Sequence, residues 1–206
     1  MSLVARNHFF KSNLLKVLTK GSRKLLNAWA FYDWANSVYS LVISSAIFPI
    51  FYQAQFRNIE TITVFGGEIR STPLITYVTA LAFLVVSFLS PLLAGVSDYI
   101  GNKRIFMKGF VYLGALSCMG LYWFNLEYIH LSLLCYFFGL IGFWLSYAFN
   151  NAYLPDIAYP EQQDYISAKG FSLGYIGSVI LLLFNLMMVM NPELFGLGEG
   201  GEASLQ

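Results

Sequence analysis

Asp33, Asn36, Ser37 and Ser40 lie within the otherwise apolar stretch "FYDWANSVYS", residues 31–40. A carboxylate at the centre of a membrane helix costs roughly 2.5–3.5 kcal/mol on insertion scales, so Asp33 must face something other than lipid or sit near the end of a span. At about 100° per residue, Asp33, Asn36, Ser37, Ser40 and Ser44 share an arc of roughly 100°. Trp34, Val38, Leu41 and Val42 fall on the other side, where lipid or apolar packing is expected. Such a stripe either lines a water-filled cavity or forms a helix–helix seam of small polar residues. Asp33 gives a seam nothing that serine would not, which favours the cavity. With Asn36 and Ser37 as hydrogen-bond donors to it, the carboxyl either exchanges a proton as the cavity opens and closes or pins the inner end of a helix bundle.

Further polar and small residues recur at helical spacing. Gly142, Ser146 and Asn150 repeat every fourth residue, with Asn151 alongside. Gly170, Gly174 and Ser178 do the same with Gly177 nearby, and Asn185 continues their face. The glycines and Ser178 read as a face for close backbone approach. The asparagines either cap backbone groups or line a solute path. Enzymatic chemistry finds little support. Asp98 and Asp156 stand at loop junctions, His8 and His130 are terminal and loop-side, and no nucleophile–base arrangement appears. Cys118 and Cys135 lie inside apolar segments and read as small buried hydrophobes rather than a disulfide or metal site. No phosphate-cradling glycine–lysine loop is present. The chain therefore reads as a non-enzyme with no metal and no cofactor.

The elements that position these residues follow from composition. Of 206 residues, 57% are hydrophobic and 11% charged, and mean hydropathy is +0.61. Soluble domains carry about 25% charged residues, so an integral protein of the lipid bilayer is implied, and the net charge of +1 gives no hint of nucleic acid. A membrane helix needs about 20 mainly apolar residues. Five segments qualify: 28–56, 73–97, 105–124, 130–153 and 170–190. The connections "RNIETITVFGGEIRST", "SDYIGNKR", "NLEYIH" and "LPDIAYPEQQDYISAK" read as loops. Residues 1–27 form a basic cytoplasmic segment without a secretory signal, either an amphipathic helix on the inner leaflet or a disordered tail. Residues 191–206 read as an extracytoplasmic, Gly-rich, acidic loop cut short before a further helix.

"PLLAGVSDYIGNKR", residues 91–104, joins the second and third spans. Asp98 stands where the second span leaves the membrane, Gly101 permits a reversal, and Lys103 and Arg104 anchor to the inner surface. An ordinary charged turn would look similar, but the arrangement resembles the signature loop of the major facilitator superfamily. It departs at Ala94, which holds the first glycine position beside Gly95, and at Tyr99 and Asn102, which replace basic residues. "AWAFYDWANSVYSLVISSAIFPIFY", "NNAYLPDIA" and "SAKGFSLGYIGS" resemble the vacuolar-effluxer-like (autophagy permease-like) branch of that superfamily. The resemblance runs from residue 27 through most of the chain. It implies an all-α membrane fold in which these are five transmembrane helices of a six-helix N-terminal half. It further implies a central small-molecule solute site completed by a missing C-terminal half, and a loop at Asp98 and Arg104 that stabilises one cytoplasmically closed state.

The function expected is a secondary transporter of small solutes, amino acids among them, acting by alternating access in a bacterial inner membrane. The alternative is a non-transporting membrane scaffold or partial subunit. Orientation rests on basic residues. With the N-terminus inside, six lysines and arginines in residues 1–27 join Lys103, Arg104, Lys108 and Lys169 on the inner side, against Arg57 and Arg70 outside. Single cysteines in the 98–104 loop should accordingly resist an impermeant thiol reagent in intact cells, while cysteines at Glu68 and Glu199 should react. Labelling of the 98–104 loop would reverse the orientation.

Overall fold

The computed structural model describes residues 19–195 apart from Ala46, Asn58 and Phe65. Most of the basic N-terminal segment and the end of the C-terminal tail lie outside the described residues. Five helical stretches are long and apolar enough to cross a membrane. The first span combines α1 (Arg23–Tyr39), a π-helical segment (Ser40–Ser45) and α2 (Ile47–Gln55). After it come β1 (Thr61–Val64) and β2 (Gly67–Arg70), then α3 (Ser71–Ile100), α4 (Lys103–Leu121), α5 (Ile129–Ile157) and α6 (Pro160–Met190). A 3-10 turn, Pro192–Phe195, closes the described chain.

Several boundaries differ from the sequence reading. The first span starts at Arg23, five residues ahead of the expected 28. From Ser40 onward it winds as a π-helix, so a 100° wheel no longer gives the direction of Ser40 and Ser44. The Ser45 hydroxyl donates to the Ser40 carbonyl five residues back, at 3.0 Å, which suits this wider turn. The 57–72 connection contains an antiparallel hairpin pairing Thr61 with Arg70 and Ile62 with Ile69. Its β-branched residues favour strand, and Gly66 takes the positive φ (+83°) of its turn. The Ser71 hydroxyl donates to Ile59 O at 2.6 Å and Tyr52 Oη to Ser71 O at 2.7 Å, fastening the hairpin to α2 and α3.

The largest correction concerns the polar stretch after the fourth span. Residues 160–169, expected as loop, are the opening turns of α6, and only Ala158 and Tyr159 separate α6 from α5. Pro160 supplies a preset φ at the first helical position, where a missing N–H costs nothing. The Gln162 side chain accepts from Tyr159 N at 3.1 Å, completing the helix start. Asp156 correspondingly sits inside the last turn of α5 rather than in a loop.

α5 is the hub of the bundle: 61% of its apolar window is buried, against 6–12% for the other spans. Its N-terminal half packs into an aromatic core with Phe48, Phe51, Tyr52 and Phe124, and Tyr136 stacks on Phe48 at 4.9 Å. Along its middle it meets α4 backbone to backbone. A Cβ on Gly142 would lie 2.5 Å from Gly114 N, 2.7 Å from Gly114 Cα and 2.8 Å from Phe110 O. Main-chain atoms cannot swing away, so only glycine fits there. Gly142→Ala should therefore lower stability by about 1–3 kcal/mol, the usual cost of overpacking. Gly109→Ala, where a Cβ meets nothing within 4 Å, should leave the thermal midpoint unchanged. Equal midpoints for the two variants would refute the tight α4–α5 seam.

Candidate functional site

α1 and α6 pack along the glycine face read from the sequence. A Cβ on Gly170 would lie 2.9 Å from Asp33 Oδ2 and 3.1 Å from Trp29 Cζ3, one on Gly174 would strike the Ser37 hydroxyl, and one on Gly177 would strike the Trp34 indole nitrogen. Trp34 thus faces α6, not lipid. The Ser178 hydroxyl donates to Ser37 O at 3.4 Å across the same seam. Beside this seam, a cavity of about 380 Å³ opens between α1, the π segment, α5 and α6. Asn36, Ser37, Ser40, Ser45 and Ser178 give it hydroxyl and amide groups; Phe143, Trp144, Tyr147, Phe171 and Tyr175 give it aromatic walls.

The polar stripe is therefore divided between two tasks. Asn36, Ser37 and Ser40 border the cavity, whereas Asp33 is 2% exposed and lies against Gly170, one turn below Ser37. The Ser37 hydroxyl donates at 2.9 Å to the Asp33 backbone carbonyl, not to its carboxylate as expected. No ion pair joins Asp33 to a lysine or arginine among the described residues. The Asn36 Nδ2 and Trp144 Nε1 nitrogens are buried without a hydrogen-bond partner among the described residues. Buried donors without partners are uncommon in folded proteins. The remaining asparagines separate from this group. Asn150 is 2% exposed inside the bundle, and Asn151 is exposed. Asn185 donates to Leu181 O of its own helix at 2.9 Å and borders a different cavity, beside Val42, Ile43 and Cys118.

The C-terminal end of α5 carries a second constellation. Pro155 offers no N–H, which frees the Asn151 carbonyl, and the helix stops at Ile157, which leaves last-turn carbonyls such as those of Pro155 and Ile157 open to outside donors. Trp29 Nε1 donates to Asn150 O at 2.8 Å, Lys103 Nζ to Ala152 O at 3.2 Å, Lys20 Nζ to Pro155 O at 2.7 Å and Gly21 N to Ile157 O at 2.7 Å. The two ammonium groups also suit the negative end of the helix dipole. Lys103 in addition pairs with Asp98 at 3.5 Å and Asp156 at 3.2 Å. Arg104 lies over the Tyr153 ring, 5.0 Å from its centroid. Gly101, at φ +71°, caps α3 in the left-handed conformation and turns the chain back toward α5. The loop's Asp98, Gly101, Lys103 and Arg104 are thus held to α5, and Asp156 is a partner that the sequence reading missed.

An α-helical membrane bundle with a solute-sized polar cavity and a short charged loop between its second and third spans is the architecture these observations define. The chain belongs to the family described as "Vacuole effluxer Atg22 like", whose sequence profile matches residues 21–197. It is 34% identical over 173 residues to an uncharacterized MFS-type transporter, YxiO, of Bacillus subtilis (strain 168). That match covers 84% of this chain but 39% of the relative's length. No solved structure matches the chain. Family and relative alike are named for transport, not for enzymatic chemistry.

Lys103→Gln removes both ion pairs at a partly exposed position, where such pairs contribute only about 0–1 kcal/mol. The thermal midpoint should barely move, while amide hydrogen exchange across 98–104 should quicken. Unchanged exchange would mean that the loop is held without Lys103.

Proposed function

We propose that this chain forms one wall of the solute pathway of a secondary transporter, in a bacterial inner membrane with the N-terminus and the 98–104 loop on the cytoplasmic side. The solutes are small and polar, amino acids among them. The observation that carries this reading is the cavity bordered by Asn36, Ser37 and Ser40. Its volume falls within the roughly 300–1,000 Å³ usual for small-molecule sites. A solute carrying acceptor groups would satisfy the buried Asn36 and Trp144 nitrogens once they turned toward it. Further helices, outside these 206 residues, supply the opposite wall, and alternating access is the motion of one wall against the other.

In this scheme the loop at Asp98 and Arg104 holds the cytoplasmic side of α3–α4 against α5 in a closed state. Asp33 is the coupling group. Its burial one turn below the cavity makes its charge sensitive to whether water reaches it. Asp33→Asn keeps size and hydrogen bonding but cannot ionise.

Radiolabelled amino-acid flux in proteoliposomes tests the proposal. The 206-residue chain alone should insert without concentrating solute, and flux should appear when helices completing the second wall are reconstituted with it. Absence of flux from the completed assembly would favour a scaffold. In that assembly, Asp33→Asn should abolish pH-gradient-driven accumulation while leaving solute exchange within a few-fold of the parent. Accumulation with unaltered pH dependence would remove Asp33 from coupling.

A further inference from the structure

Two cavities of similar size lie on opposite sides of the π-helical segment. Ser40, Leu41 and Ser45 border the polar cavity of about 380 Å³. Val42 and Ile43, from the same six residues, border a second cavity of about 350 Å³, which also touches Cys118 of α4 and Asn185 of α6. Ser40–Ser45 is therefore a partition between the two. The second cavity is mainly apolar, with Ile47, Phe48 and Met188 in its lining, and the transport reading makes no use of it.

The partition is held firmly at both ends and lightly in between. On its N-terminal side, α1 sits on the bare backbone of α6 at Gly170, Gly174 and Gly177, and Trp29 Nε1 reaches Asn150 O at 2.8 Å. On its C-terminal side, Phe48 stacks on Tyr136 and Tyr52 Oη donates to Ser71 O. Between these anchors, Tyr39 Oη and Ser44 Oγ are buried with no hydrogen-bond partner among the described residues. Ser45 Oγ bonds within the segment itself, to Ser40 O. Unpaired buried groups are uncommon, and their cost narrows the margin by which this winding is preferred over one that exposes them to water. A π turn closes on the fifth residue where an α turn closes on the fourth, and such turns cluster at functional sites. Moving the extra residue along the chain, with both anchors fixed, turns each side chain it passes by about 100°. Val42 and Ile43 would then leave the wall that separates the cavities.

We propose that Ser40–Ser45 is a gate between the two cavities, and that shifting its wide turn joins them into one passage for water and small solutes, running across the first span from Asn36 to Asn185. This goes beyond the transport reading, which uses the first cavity alone. Ser45 is the latch, because its bond to a carbonyl five residues back suits the π winding and not an α turn.

The 206-residue chain in lipid nanodiscs tests this, with Cys135→Ala leaving Cys118 as the one thiol. The probe is 2-hydroxyethyl methanethiosulfonate, a small, neutral, polar thiol reagent, and amide hydrogen exchange across 40–45 is followed in parallel. Ser45→Ala, at an exposed position, removes the latch. It should speed both the exchange and the modification of Cys118 by a common factor, about two- to tenfold for one lost hydrogen bond. Ser45→Thr keeps the hydroxyl and should match the parent in both. Ser44→Ala removes an unpaired buried hydroxyl, favours the closed winding and should slow both; it serves if Ser45→Ala does not fold. Exchange that changes while Cys118 modification does not would mean that the cavities stay separate. Exchange indifferent to both alanine variants would mean that the segment is not a latched gate. Either result overturns the proposal. No flux enters these measurements, so failure here leaves the transport reading to be judged by its own experiment.

Discussion

A helix end inside a membrane protein cannot leave its carbonyls bare, because lipid offers no donor. The C-terminal end of α5 draws four tertiary donors: Lys20 and the Gly21 amide meet the open Pro155 and Ile157 carbonyls, and the Trp29 indole and Lys103 add second bonds at the Asn150 and Ala152 carbonyls. Each comes from a different place around the hub. Trp29 brings α1 into register against α5, which sets Asp33 and Ser37 against α6. Lys103 brings the α3–α4 turn, and with it Asp98, under the same helix. Gly21 and Lys20 tie the chain entering α1 to the chain leaving α5. These bonds together tie most of the bundle's elements to this end of α5.

The small residues act on the same framework from the opposite direction. Gly142 lets α4 touch α5 through main chain alone, and Gly170, Gly174 and Gly177 let α1 carry large side chains into α6. A tryptophan and a serine that would elsewhere hold helices apart are accommodated on bare backbone. The cavity opens beside this contact, where Ser37, Gly174 and Ser178 of the seam meet Ser40 and Ser45 of the π-helical segment. Sterics at the glycines and winding at the serines are thus two halves of one arrangement.

What the sequence revealed follows the range of the signals involved. Five spans and the glycine faces were legible because hydropathy and fourth-residue spacing are local. The role of Asn36, Ser37 and Ser40 in a cavity was half legible, since the wheel that grouped them also grouped Asp33, which lies in the seam. The carbonyl collar was not legible, because main-chain acceptors carry no letter of their own; Pro155 was its one visible mark. The opening turns of α6 were read as loop because Glu161, Gln162, Gln163 and Asp164 carry no apolar stripe, although Tyr159-Pro160 followed by Gln162 was a helix-start pattern. Phe143, Trp144 and Tyr147 were visible as rings at positions that share a helix side, but apolar composition alone does not separate a binding wall from core.

The two-residue link at Ala158–Tyr159 has a mechanical meaning. Three virtual bonds of about 3.8 Å allow the linked ends of α5 and α6 to part by no more than roughly 11 Å without unwinding. Gln162 Nε2 bonded to Gly21 O at 3.3 Å, and Gly21 N bonded to Ile157 O, shorten that leash further. Relative displacement of these helices must then grow with distance from the link, as in a pair of tongs joined at one end. α6 is a long lever of 31 residues, about 46 Å at 1.5 Å per residue. A tilt of a few degrees at the fulcrum widens the cavity modestly and moves the far tip of α6 by several times as much.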